Sequence, residues 1–255
     1  MTERILSFYD PLAEHYHLIF DDWNKTIERQ AEILNPLLAA HLQNSSLKIL
    51  DCACGIGTQA LGFAALGHRV VASDLSPAAV NRARSEAEKR GLEISFRVSD
   101  MTALTEIAEN DFDVVATLDN ALPHLTADQL KRAVVVLSSK LKANGVFLAG
   151  IRDYDALILQ RPTVLGPTFY GVEGNRRIVQ QVWDWTGSAS YIVHLYITVQ
   201  SGESWTAHHF ISEYRCLQRE ELSAALQSAG FREIQWLMPA ESGLYQPLVL
   251  ARWPG

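Results

Sequence analysis

The stretch ILDCACGIGTQALG, residues 49–62, runs from an apolar segment into an acid and then into two glycines around one isoleucine. LKILD (47–51) has the length and composition of a short strand, and the glycines part it from a helical segment. Working outward, GHRVVASD (67–74) reads as a second strand. Ser76-Pro77 then supplies N-cap and first-turn chemistry for a helix whose packing face is Ala79, Ala83 and Ala87 and whose stop is Gly91. EISFRV (93–98) and FDVVATL (112–118) are the third and fourth strands. Thr126 and Gln129, at capping-box spacing, open a helix carrying Leu130, Val134, Leu137 and Leu141, with Gly145 as its end. VFLAGI (146–151) is continuously apolar, as a strand covered on both faces must be. This alternation predicts an α/β fold with a doubly wound, mostly parallel sheet.

The flanks read differently. Ile27, Ala31, Leu34, Leu38 and Leu42 recur at helical spacing over 23–42, with Pro36 expected to kink or split that helix. After residue 160, RRIVQQVWDW, YIVHLYITV and SWTAHHFISEY follow one another, parted by TGSAS and QSGE, which are antiparallel hairpin signals. A helix returns over 220–229, stopped by Gly230, before two last strands near 231–238 and 247–253. The expected organisation is an N-terminal helical lid (1–45), a ligand-binding core (46–155), an antiparallel β insertion covering the active site (156–216), and a C-terminal helix and strands completing the core sheet (217–255). Such an insertion lies near the carboxyl ends of the parallel strands, where sheets of this kind bind ligands.

The formal charge of -7 argues against a nucleic-acid partner. No run reaches the ~20 apolar residues of a membrane helix, and MTERILSFYD lacks the pattern of a signal peptide. The odd set Cys52, Cys54 and Cys216 is read as reduced thiols of a cytoplasmic protein, the first two as small buried hydrophobes. No metal site is expected: His208 and His209, adjacent on a strand, point to opposite faces, and His15 and His17 diverge on a helix. Trp183, Trp185, Trp205 and Tyr196 are read first as packing between strands, with a substrate-pocket wall as the alternative.

GIGTQA fits G-x-G-x-x-G/A, a fingerprint that on its own is weak. Three acids sharpen it, because Asp51, Asp74 and Asp100 each close a strand at the same edge of the sheet. Asp74 is placed to accept from a ribose diol and Asp100 from an exocyclic amine. Asp51 would repel a pyrophosphate and welcome an ammonium or a sulfonium. The ligand wanted is an adenosine with a cationic, phosphate-free tail.

In these residues the sequence resembles the class I S-adenosylmethionine-dependent methyltransferases, whose first motif LDCACGIGT looks like, with VVASDLSP similar to their second and VSDM to their adenine-site segment. The resemblance implies a seven-stranded Rossmann-like sheet and S-adenosyl-L-methionine as cofactor. TLDNALPHL (117–125) and LKANGVFLAGIRDYD (141–155) further resemble the glycine N-methyltransferase and glycine/sarcosine methyltransferase group. Leu118, Asn120 and His124 match, with Asp119 in place of a glycine; Arg152, Tyr154 and Asp155 match, with Asp153 in place of an asparagine. By that likeness the cofactor site is Tyr16, Lys25, Asp51, Ala53, Gly55, Gly57, Asp74, Leu75, Asp100, Met101, Leu118 and His124. Asn120, Arg152 and Tyr214 hold the acceptor.

The expected reaction is in-line attack of a neutral amine on the sulfonium methyl, assisted by alignment and exclusion of water. The acceptor is a small molecule, possibly with a carboxylate that Arg152 grips bidentately. Arg152 could instead pair with Asp153 or Asp155, and Asn120 could be a plain turn residue. O- or C-methylation, a nicotinamide oxidoreductase and a noncatalytic cofactor-binding module remain alternatives, and oligomeric state is open.

Overall fold

The computed structural model describes residues 2–42, 44 and 46–255. In chain order it contains α1 (Thr2–Leu12), a 3-10 turn (Tyr16–Ile19), α2 (Trp23–Leu42), β1 (Lys48–Asp51), α3 (Thr58–Ala65), β2 (Arg69–Asp74), α4 (Pro77–Lys89), β3 (Ile94–Val98) and β4 (Phe112–Thr117). A 3-10 turn (Leu122–His124), α5 (Ala127–Ser138), β5 (Leu141–Gly150) and α6 (Tyr154–Gln160) follow. Then come β6 (Val164–Val172), β7 (Asn175–Trp185), β8 (Ser190–Ser201), β9 (Ser204–Arg215), α7 (Arg219–Ser228), β10 (Arg232–Leu237), α8 (Pro239–Ser242) and β11 (Leu248–Arg252).

Seven strands form one sheet in the order β10-β11-β5-β4-β1-β2-β3. β1 to β5 pair in parallel, and only β11 runs against its neighbours. This is the mostly parallel α/β sheet expected from the alternating pattern. Strand order reverses beside β1, so a crevice opens at the carboxyl ends of β1 and β4, where helices depart to opposite faces. Helices on both faces explain why β4 is buried at all six positions. The other four strands form a separate antiparallel meander, β6-β7-β8-β9. Its inner face packs Leu195, Ile197 and Phe210 against Phe8 and Leu12 of α1.

Four local expectations need correction. Pro36 does not split the 23–42 helix: α2 runs its full 20 residues, with Pro36 exposed between the buried Leu34 and Leu38. The helix opened by Thr126 ends at Ser138, so Leu141 begins β5. Gly145 therefore lies inside a strand; a Cβ there would stand 3.0 Å from the carbonyl oxygens of Phe112 and Lys142. The meander has a fourth strand, β6, hidden in the sequence by Gly166, Pro167 and Gly171. The short helix α6 was concealed in the segment assigned to the start of the insertion.

The caps read from sequence are present. The Ser76 hydroxyl accepts from the Ala79 N–H, and Thr126 and Gln129 make a reciprocal capping box. α3 is held tightly to α2: Trp23 Nε1 donates to Thr58 Oγ1 at 2.9 Å, and Gln59 donates to Gln30 at 2.6 Å. Gly62 permits this closeness, since its Cβ would meet Ala31 Cβ at 2.8 Å and the Ile27 carbonyl oxygen at 2.9 Å. Gly62→Ala is therefore expected to destabilise the fold by about 1–3 kcal/mol, the overpacking cost outweighing Ala's helix propensity. Urea denaturation measures it; unchanged or raised stability would contradict the close approach.

Candidate active site

The turn from β1 into α3 forms the floor of a narrow slot lined by Ala53, Gly55, Asp74, Leu75, Asp100, Met101, Leu118 and His124, closed by Tyr9 and Tyr16. Eight of the twelve expected cofactor residues, and Tyr16 as a ninth, thus come together. The two glycines divide their duties. Gly55 (φ +52) faces open space where a Cβ would intrude on the slot. Gly57 (φ +96) caps α3 instead and does not line the slot: a Cβ there would press on Ala83 at 3.2 Å and Leu61 at 3.3 Å. Gly57 is a packing glycine.

The acids are held by main chain. Asp74 accepts from the Gly55 N–H at 2.8 Å and the Ser76 N–H at 2.9 Å, leaving each oxygen a lone pair for a further donor. Asp100 accepts from the Thr102 N–H at 2.7 Å through one oxygen. Asp51 is fully buried and does not itself line the slot; it lies beneath Cys52 and Ala53, which do. One of its oxygens receives only a long contact from the Ala53 N–H, 3.4 Å, and the other has no hydrogen-bond partner. Burial raises the Asp51 carboxyl to about 7, with Asp74 and Asp119 adding repulsion.

Lys25 does not approach the site. It sits on the outer side of the first turn of α2, exposed, 3.4 Å from Asp22. Thr26, the next residue, and Arg29, one turn on from it, face a second cavity, of about 860 Å3 against about 90 Å3 for the slot. That chamber lies between the ends of β4 and β5 and the inner face of the meander, and it is lined by Asn120, Arg152, Gln181 and Trp183. Tyr16 and Asp119 line both cavities and so form the passage between them.

Arg152 pairs with neither acid offered by its own segment; Arg219 takes Asp153 at 2.8 Å and Asp155 at 3.3 Å. The Arg152 guanidinium donates instead to Tyr191 Oη at 3.1 Å and Gln181 at 3.4 Å, and it stands 4.9 Å from the Trp183 ring centre. A part-buried cation is thus left facing the chamber with neutral partners alone. Asn120 is occupied structurally: its carbonyl accepts from the Arg152 N–H at 3.0 Å and its amide donates to Tyr154 Oη at 2.9 Å. It positions Arg152, and it does so from a left-handed conformation shared with Asp119 (φ 68 and 52). Tyr214 lines neither cavity. It stacks on Tyr191, lies 4.2 Å from the His124 ring and bonds Tyr9 at 3.3 Å, so it backs the passage from behind.

Tyr9, Tyr191, Gln181 and Tyr245 were missed in the sequence, and Tyr154 was matched there without a role. Tyr9 opens YDPLAEHY, seven residues before Tyr16, and its hydroxyl meets His124 Nε2 at 2.9 Å. Burial lowers His124 to about 4, so the ring is neutral at pH 7. Tyr191 was visible in the alternation of YIVHLYITV, whose odd positions face inward. All three cysteines are buried and free. Among the described residues no group of three or more His, Cys, Asp or Glu is gathered for a metal, and no helix is long and apolar enough to cross a membrane.

Comparison with known proteins bears on the fold. Residues 49–145 match a family model described as a methyltransferase domain. A ubiquinone biosynthesis O-methyltransferase of Dinoroseobacter shibae is 38% identical over 105 residues, 38% of this chain and 42% of that protein. The chain thus matches less than half the length of that relative. An S-adenosylmethionine-dependent methyltransferase of Clostridium acetobutylicum superposes with a TM-score of 0.75 at 19% identity, covering 97% of this chain and 99% of that one. The SAM-bound amino pentose methyltransferase CalS10 of Micromonospora echinaspora superposes with a TM-score of 0.73 at 20% identity, over 94% of each chain. The fold is the Rossmann-like methyltransferase fold.

Asp51 generates a pH prediction. Its folded value near 7 stands above its ordinary 3.8, so its stabilising contribution is complete below about 3.8 and lost as pH rises through about 7. Asp51→Asn should make the ligand-free protein more stable than wild type at pH 8, by at most about 4 kcal/mol, and equal to it near pH 4. Urea titrations of both proteins at the two pH values check this; a difference that does not change with pH would contradict it.

Proposed function

We propose that the chain is an S-adenosyl-L-methionine-dependent methyltransferase acting on a small-molecule amine that carries an anionic group. Support for the cofactor comes from the fit of the slot. Asp74 has lone pairs for a ribose diol, Asp100 has a free oxygen for the adenine amine, and the unpartnered Asp51 oxygen suits the ammonium of the methionine tail. The open floor at Gly55 lets a ligand reach main chain. When bound, the cofactor supplies an electrophilic methyl; the chain binds, orients and keeps water out.

The observation that carries the acceptor class is Arg152, a guanidinium in the chamber with no carboxylate beside it. An anionic group on the acceptor would complete it, and the fork geometry suits a carboxylate. Amino-acid-like amines such as glycine or sarcosine satisfy the chemistry, while the chamber's 860 Å3 admits a larger body. An aromatic wall of Trp183 and Tyr170 favours a second reading, O-methylation of a ring hydroxyl; the curated relative is named an O-methyltransferase.

Incubation with methyl-labelled cofactor and a panel of glycine, sarcosine, dimethylglycine, larger amino acids, amino sugars and hydroxylated rings tests this. Label is expected in an anionic amine. Label only in neutral phenols would favour the second reading, and no label in any acceptor would contradict the first. Arg152→Lys should raise the acceptor KM about 10–100-fold while leaving the cofactor KM within about two-fold; equal effects would remove the role. Asp74→Ala should weaken S-adenosylhomocysteine binding by at least about ten-fold in calorimetry; unchanged affinity would remove that assignment.

A further inference from the structure

A donor in the slot and an acceptor in the chamber can meet only where the two cavities open on each other. Tyr16 and Asp119 line both. Asp119 is the acid that stands where the resembled enzymes have glycine, and it holds a left-handed conformation (φ 52) to do so. One of its carboxylate oxygens accepts from Tyr245 Oη, which in turn accepts from Gln246 Nε2 at 3.0 Å. Tyr245 is 60% exposed as a whole residue while its hydroxyl is enclosed between Asp119 and Gln246, so the side chain reaches from the passage towards solvent. The titratable and charged groups around Asp119 are Tyr16 and Tyr245, with Asp51 below and Arg152 across Asn120.

From this geometry we infer that Asp119 is the proton acceptor for the incoming amine and Tyr245 the outlet that returns the proton to water. The inference rests on the amine reading above. An ammonium entering the chamber docks on the Asp119 carboxylate and gives it one proton. The freed nitrogen lone pair bonds to the methyl carbon, and the electron pair of the broken carbon–sulfur bond stays on sulfur. The product leaves as a methylated ammonium, and Asp119 passes its proton through the Tyr245 hydroxyl to solvent. Atoms and charge balance without a further reactant. Burial raises the Asp119 carboxyl above its ordinary value, in the direction of proton uptake, while hydrogen bonds from Tyr245 and Gln59 act the other way.

The test uses Asp119→Asn, which tolerates the left-handed backbone, with Asp119→Gly as a second variant that also tolerates it. Label transfer to the amines of the panel is measured from about pH 6 to about pH 10, and S-adenosylhomocysteine affinity by calorimetry. Both variants should keep that affinity within about three-fold. They should lose transfer by about 100-fold or more near pH 7, and the loss should shrink as rising pH supplies free amine. The wild-type-to-variant ratio at each pH removes titrations that the proteins share. A loss of equal size at every pH, or no loss, overturns the role of Asp119 and leaves the amine reading standing. A wild-type protein that binds S-adenosylhomocysteine yet methylates no amine overturns the amine reading, and this role with it.

Discussion

Two ionisable groups without counter-ions among the described residues organise this molecule. Asp51 is buried with one carboxylate oxygen unpartnered, and the Arg152 guanidinium is ringed by tyrosines, a tryptophan and a glutamine with no acid beside it. Burying a charge without a partner is costly, and a fold keeps such groups where a ligand completes them. The two lie on either side of one passage, beneath a narrow slot and against a wide chamber. Opposite charges in these places call for a cationic tail in the slot and an anionic group in the chamber.

The sheet makes this arrangement possible. Parallel strands end together, so Asp51, Asp74 and Leu118 reach one edge from three strands whose side chains are fixed by burial. The reversal of strand order beside β1 leaves the crevice there unroofed. The roof comes from elsewhere: α1 and the Tyr16–Ile19 turn from one side, the meander from the other. Arg177 of β7 ties the two by donating to the carbonyls of Leu18, Phe20 and Asp21 at 2.7–3.1 Å. Tyr16 is thus held over the passage by hydrogen bonds from the meander side.

The core sheet and the slot were legible in the sequence because their signals are local. A strand that ends in an acid and a glycine turn needs no distant partner to be read, and capping residues announced α4 and α5. What escaped was set by packing across the chain. Lys25 and Thr26 adjoin on α2, and only the docking of α2 decides which of them turns to the chamber. Gly57 carries the same motif letter as Gly55 but serves α4 through Ala83. Asn120 lines the chamber, but its amide is consumed in fixing Arg152. Arg152 was freed for the chamber by Arg219, a residue of α7 distant in sequence that captures both neighbouring acids. β6 was hidden because glycine and proline mask a strand whose partners are known only after folding.

The most direct measurement is a crystal structure of the protein grown with S-adenosylhomocysteine and an amino acid. The expected density has the nucleoside in the slot, its ribose on Asp74, its amino group on Asp51, and the amino acid's carboxylate on Arg152 with its nitrogen at Asp119. An adenosyl group bound elsewhere, or a slot ligand whose ammonium leaves Asp51 unpartnered, would contradict the account.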